Sequence, residues 1–189
     1  MASLVAVNGV LYGTAAGHEF NGLVTSSCVF KVTTSGKATV LHSFTSKGDG
    51  AGPQAALIYT NGLLYGTTKY GGATGNGVVF SIDPGSGKER VVYSFKHYPD
   101  GSQPIASLAT MNGILYGTTF VGGKNGAGTI FSLTTSGKEK VLYNFKSGKQ
   151  DGQLPAAGLT ALKGTLYGTT SSCGVGMFAC GGTVFAVTP

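Results

Sequence analysis

Short runs of alternating apolar and polar residues, four to a unit, repeat along the whole chain. The unit at 105–155 is the clearest. ASLATM ends at Asn112-Gly113, ILYGTT follows, and the glycine-rich stretch FVGGKNGAG leads to TIFSLTT. Ser136-Gly137 then turns into KEKVLYNF, where Val141, Tyr143 and Phe145 alternate with Leu142 and Asn144. A period of two predicts strands, and Asn-Gly between two such runs predicts a tight hairpin. No segment carries the 3.6-residue period of an amphipathic helix.

The same order of segments recurs at 3–53, 54–104 and 156–189. NGILYGTT (112–119) has counterparts in NGVLYGTA (8–15), NGLLYGTT (61–68) and KGTLYGTT (163–170). Tyr12, Tyr65, Tyr116 and Tyr167 thus stand roughly fifty residues apart, a spacing that signals a repeat architecture. The fourth unit stops after TVFAVTP, so it holds three strands where the others hold four.

Four antiparallel strands at such a period predict an all-β fold, a β-propeller of four blades in one continuous domain. One blade has two apolar faces and needs neighbours to cover them. Tyr65 and Phe80, Tyr116 and Phe131, and Tyr167 and Phe185 are spaced to stack between blades, with Phe44, Phe95 and Phe145 closing the fourth strands. The competing architecture, a two-sheet sandwich, rarely keeps so strict a period. The last blade lacks its outer strand, so Thr183–Thr188 is expected to present an open edge. That edge, or closure of two chains into one ring of eight blades, makes a homodimer the expected partner state.

Composition narrows the function. Of 189 residues, 33 are glycine and 41% are hydrophobic, while 11% are charged and tryptophan is absent. Glycines at fixed places in an apolar chain read as turns of a folded β protein rather than as disorder. The net charge of +6 comes mainly from lysines in turns and after fourth strands, such as Lys88, Lys138, Lys140, Lys146 and Lys149, with Arg90 the single arginine. Charge spread in this way protects strand edges and argues against a nucleic-acid surface. No apolar run reaches the ~18–20 residues of a membrane span. The opening MASLVAVNGVLYG has no basic region and does not read as a signal peptide.

Candidate chemistry is sparse. D-G-x-x-P recurs with Asp49, Asp100 and Asp151 ahead of Pro53, Pro104 and Pro155. These aspartates read either as turn formers or as a ring of carboxylates able to bind a cation or a sugar. Groups that depart from the repeat are better ligand candidates, because loops on a rigid scaffold carry function. They are His18, Glu19, Phe20 and Asn21 in the first connection and His97 and Tyr98 in the second crossover. Cys173 and Cys180 share the fourth connection with Met177 and Phe178, and six residues between the thiols suit a local disulfide. Cys28 is expected to be a small buried apolar residue. No metal site is expected, since no histidine stands near the cysteine pair.

The combined motif resembles a family of bacterial tandem-repeat proteins that carry the GloVer repeat and use a choice of surface anchors. The matching residues are Leu115 to Thr119, Gly128 to Phe131, Ser136 to Glu139, Val141 to Phe145 and Asp151 to Pro155, with equivalents in the other units. The resemblance implies a secreted or surface-displayed propeller-like protein, extracellular in location, and implies no activity. The blade is also similar to that of quinoprotein propellers, which usually lock blades with a tryptophan. Phe44, Phe95 and Phe145 take that place here, so no quinone and no other cofactor is expected.

The expected function is therefore a non-enzymatic propeller for binding or assembly, with a glycan, a protein or a second copy as partner. The alternative is a propeller-type lyase or hydrolase acting on a polysaccharide or small molecule. It would need several acids or histidines to converge, and the chain has seven Asp and Glu and three His.

Overall fold

The computed structural model describes residues 3–20, 23–25, 27–147, 151–172 and 181–189, with backbone alone for 18–20 and 23–25. All regular structure in them is β. Blade 1 consists of β1 (Val5–Val7), β2 (Val10–Ala15), β5 (Cys28–Val32) and β6 (Ala38–Ser43), paired in that order. Between β2 and β5 lies a small hairpin, β3 (His18–Phe20) with β4 (Leu23–Thr25). Blade 2 is β7 (Ile58–Thr60), β8 (Leu63–Thr68), β9 (Val78–Ile82) and β10 (Glu89–Ser94). Blade 3 is β11 (Ala109–Met111), β12 (Ile114–Thr119), β13 (Thr129–Thr134) and β14 (Glu139–Asn144). Blade 4 has three strands, β15 (Thr160–Leu162), β16 (Thr165–Thr169) and β17 (Val184–Val187). The expected all-β propeller of four blades, the last one strand short, is the observed fold.

Local chemistry explains the unit. The first hairpin of each blade turns through two residues with positive φ, as in Asn61 (52°) and Gly62 (79°) or Asn112 (53°) and Gly113 (77°). That backbone suits Asn-Gly and matches the twist of the strands it joins. Blade 4 makes the same turn with Lys163 (48°) and Gly164 (82°). The glycine of L-Y-G-T-T answers a different need. A Cβ on Gly117 would lie 2.6 Å from the Phe131 ring and 2.9 Å from Leu108. The equivalent position in blade 2, Gly66, meets Phe80 and Leu57 in the same way. Each four-stranded blade also bulges in its fourth strand, between Val91 and Tyr93 in blade 2.

Each blade has a leading face toward the blade before it and a trailing face toward the blade after it. Three apolar junctions form from these faces. The first packs Val7, Tyr12, Val29 and Phe44 against Leu57, Leu64, Phe80 and Ile82. The second packs Tyr65, Val79 and Phe95 against Leu108, Leu115, Phe131 and Leu133. The third packs Tyr116, Ile130 and Phe145 against Leu159 and Leu166, with Phe185 and Val187 beside them. Burial of aromatic and branched side chains between blades is the main stabilising term, at roughly 25 cal/mol per Å² of apolar surface.

The junctions repeat and the ends stay open. The leading-face residues of blade 1, Leu4, Leu11 and Val40, are exposed, as are Tyr167 and Val184 on the trailing face of blade 4. Val184 is 80% exposed, whereas Val29, Val79 and Ile130 at the same place in the other blades are fully buried. The four blades therefore make an arc with two unlike apolar ends.

Candidate functional site

Antiparallel order places the connections between second and third strands and the crossovers between blades on one side of the arc. Bridges tie each crossover to the connection of the following blade, Ala51 to Tyr70, Ser102 to Val121 and Gln153 to Ser172. The hairpin of β3 and β4 belongs to the same side, as do His97 and Tyr98.

A cavity of about 730 Å3 opens where the four innermost strands begin. Ser3, Ala56, Ser107 and Gly158 hold the same register in the four blades, and all four line it. Small residues there let the blades approach the axis. Side chains and peptides knit the wall. Thr14 donates to the Ala55 carbonyl at 3.0 Å, Thr67 donates to the Ala106 carbonyl at 3.2 Å, and the Ala56 amide donates to Ser107 Oγ at 3.1 Å. Gln54 adds an exposed amide at the rim. Among the described residues the lining contains no ionisable side chain. Such a wall can hold a neutral polar molecule through hydrogen bonds. Ala16 lines the cavity and stands two residues before β3, so the chain brings the His18–Phe20 strand beside the mouth.

The repeated aspartates are each held by their own crossover. Asp49 accepts from the Thr45 amide at 2.9 and 3.1 Å and from its hydroxyl at 2.8 Å, and it lies 3.3 Å from His42 Nε2. Burial pushes this carboxyl up, but the Thr45 bonds and His42 outweigh it and hold Asp49 below the ordinary carboxylate range. Asp100 is buried and accepts from the Tyr93 hydroxyl and from the Lys96 amide at 3.2 Å. Asp151 repeats this with the Tyr143 hydroxyl and the Lys146 amide. The bond to Asp151, with burial behind it, pushes Tyr143 up to about 12. This geometry is that of the turn former.

His97 adopts a positive φ of 72° and exchanges backbone bonds with Gly101, while Tyr98 is exposed on the tip of that loop. Asn21, Cys173, Met177, Phe178 and Cys180 lie outside the described residues. Cys28 is partly buried, and burial pushes its thiol up, away from the nucleophilic thiolate. No group of three or more His, Cys, Asp or Glu is placed to hold a metal among the described residues.

Two residues escaped the sequence reading. Glu89 and Glu139 open β10 and β14, where Ser-Gly-Lys-Glu suggests an exposed turn. Each has a buried Oε1 without a hydrogen-bond partner. Burial, and then the negative charge of Asp49 or Asp100 across the junction, pushes both carboxyls up to about 7. Their recurrence in blades 2 and 3, with Ala38 in blade 1, was the available signal.

The profile described as the Gloeobacter/Verrucomicrobia repeat matches residues 1–189. That agrees with the resemblance carried by the motifs. No curated protein sequence matches the chain. Several solved structures share the fold. The chain is 16% identical to a luciferin-regenerating enzyme, with a TM-score of 0.57, and covers 99% of itself and 60% of that chain. A putative 6-phosphogluconolactonase from Bacteroides uniformis is 16% identical with a TM-score of 0.53, over 87% of this chain and 48% of that one. The xyloglucan GH43B protein of Bacteroides ovatus is 16% identical with a TM-score of 0.51, over 97% and 37%. The chain thus spans about 60% of the length of the luciferin-regenerating enzyme, and less of the other two. At these identities the likeness is one of fold.

Proposed function

The chain belongs to the Gloeobacter/Verrucomicrobia repeat family, and we propose that it is a module for binding and assembly, an arc of blades that a second copy completes into a ring. The observation that carries this reading is the pair of open ends. Leu4, 49% exposed, occupies the place of the buried Leu57, Leu108 and Leu159. Tyr167, 41% exposed, occupies the place of the buried Tyr12, Tyr65 and Tyr116. The two ends thus present the two sides of the junction that forms three times inside the chain, the trailing side without a fourth-strand phenylalanine among the described residues. Apolar faces of this kind on a monomer mark interaction surfaces. In the completed ring the neutral axial wall suits an uncharged polar ligand such as a glycan, approached past the β3–β4 hairpin. The motif resemblance supports a location outside the cell or on its surface, and immunolabelling of intact cells tests it.

The competing reading is a propeller-type lyase or hydrolase. It draws on the names of the similar structures, whose likeness extends to the fold. The uncharged lining of the cavity favours binding.

Light scattering after size exclusion over a dilution series tests the proposal. A species near twice 19.1 kDa that reverts to monomer in Val184→Asp supports it. A strict monomer at every concentration refutes the closing of two copies into a ring. Turnover of a polysaccharide or lactone that His97→Ala abolishes would favour the enzyme instead.

A further inference from the structure

The cations are scattered along the chain, yet the fold gathers six of its 13 lysines and arginines on one side. Third and fourth strands join in turns at 33–37, 83–88 and 135–138, on the side of the arc opposite the crossovers. Each turn ends in a lysine, Lys37, Lys88 or Lys138, and all three are exposed. A second cation stands within two residues of each turn. Lys31 lies on the third strand of blade 1, and Arg90 and Lys140 lie on the fourth strands of blades 2 and 3. Lys31 pairs with Thr39, Arg90 with Ser81 and Lys140 with Ser132, so the three share one row of the blade. The Arg90 guanidinium donates to the Thr135 carbonyl at 2.7 Å, which carries its charge to the next blade's turn, the one that ends in Lys138.

Acidic side chains do not offset these six. Among the described residues none of them takes part in an ion pair. Asp83 is the acid of the turns, and it faces its own loop, accepting from the Gly85 and Ser86 amides at 3.0 and 2.7 Å. Glu89 and Glu139 open the fourth strands, but each keeps one oxygen buried, and burial holds both up at about 7, so their negative charge is reduced at neutral pH. Lysines of the crossover side, such as Lys96 and Lys146, stand instead in loops that hold Asp100 and Asp151. We infer that the turn side is a docking face for a linear polyanion, and that its partner is an anionic polysaccharide bearing carboxylates or sulfates, laid across the turns from blade to blade. Cations repeated at the pitch of the blades match charges repeated along such a chain, and many weak contacts made together give avidity. Five of the six are lysines, compact point charges without the planar fork by which arginine reads nucleic acids. The turns consist of Thr, Ser, Pro, Gly, Asp and Lys. They offer no aromatic ring to stack on a base and no large apolar side chain to enter a bilayer. The face lies away from the mouth of the axial cavity and needs no second copy, so it stands apart from ring completion and its uncharged ligand.

Dextran sulfate titrated into the full chain tests this, with neutral dextran of the same length as control. Binding of dextran sulfate should be saturable and should weaken at least about tenfold between about 50 mM and about 200 mM salt, as release of its counterions requires. The triple variant Lys37→Glu, Lys88→Glu, Lys138→Glu should bind at least about tenfold more weakly with its Tm unchanged. Lys47→Glu, Lys124→Glu, Lys146→Glu makes the same change in net charge at exposed lysines of the crossover side, and should lose less than about threefold. Absence of saturable binding at about 50 mM salt, equal binding of neutral dextran, or equal losses in the two triple variants overturns the inference. Duplex DNA or anionic lipid vesicles that bind more tightly than dextran sulfate at the same salt overturn the choice of partner. A strict monomer that binds dextran sulfate as described upholds this face while refuting ring closure.

Discussion

The ring of Phe95, at the end of one blade's fourth strand, meets the ring of Phe131 in the next blade edge to face, with centroids 5.0 Å apart. Phe44 and Phe80 make the same contact at 5.1 Å, and Phe145 and Phe185 at 5.2 Å. Each fourth-strand phenylalanine also takes the edge of a ring two residues before it, Tyr93 for Phe95 at 5.2 Å. A relay of three aromatics thus crosses every junction.

Truncating the middle of this relay should be costly. Phe131→Ala removes a fully buried ring and is expected to lower unfolding stability by about 3–5 kcal/mol. Phe185→Ala, where the ring is only partly buried, should cost clearly less. Urea unfolding of the two variants side by side checks the order.

The hairpin turn of blade 4 is improvable. Lys163 holds a left-handed backbone that its counterparts Asn8, Asn61 and Asn112 adopt at lower cost. Lys163→Asn should stabilise the protein by about 0.5–1 kcal/mol. Thermal unfolding reads this as a higher Tm.

The glycine under the third-strand ring is expected to resist even a methyl group. Gly117→Ala places a Cβ within 2.6 Å of Phe131 and should destabilise by about 1–3 kcal/mol through overpacking. Gly126→Ala has open space around it but carries a positive φ of 74°, so it should cost through backbone strain alone. Combining each change with Phe131→Leu separates the two causes: only the Gly117→Ala penalty should shrink.

Stability should fall as the medium turns from mildly acidic to neutral. Burial holds Glu89 and Glu139 up at about 7 in the fold, against the ordinary carboxylate value when unfolded. Between those values the folded state binds more protons, so raising pH through about 7 favours unfolding. Asp49 works in the opposite sense, because its depressed pKa gives stability that is lost as pH falls below the ordinary carboxylate range. Tm measured across about pH 4 to 9 should therefore decline between the ordinary carboxylate range and about pH 7 and level off above it, and the double variant Glu89→Gln, Glu139→Gln should flatten that decline.

The period carried most of the architecture. Tyr65, Tyr116, Phe80 and Phe131 were legible as junction residues because each recurs at one register and one strand position. The three-strand make-up of blade 4 was legible because TVFAVTP is the third run of its unit. Asp49, Asp100 and Asp151 could be read two ways from D-G-x-x-P. Their own-loop bonds to Thr45, Lys96 and Lys146 appear only once the crossover folds. The raised pKa values of Glu89 and Glu139 were hidden because part of their cause, the charge of Asp49 or Asp100, lies some forty residues away in the sequence. The axial cavity was hidden for a similar reason. Ser3, Ala56, Ser107 and Gly158 look unremarkable singly, and only the curvature of the arc gathers them.

The two ends of the arc are unlike, and that polarity has a geometric consequence. Copies joined leading end to trailing end share one heterologous contact, and a heterologous contact closes only when its rotation divides a full turn. The angle between neighbouring blades is set three times over by the Phe95-type relays inside one chain. The same angle then decides the fate of many chains: a flat angle that divides the circle yields a finite ring, and any residual pitch yields a helical filament.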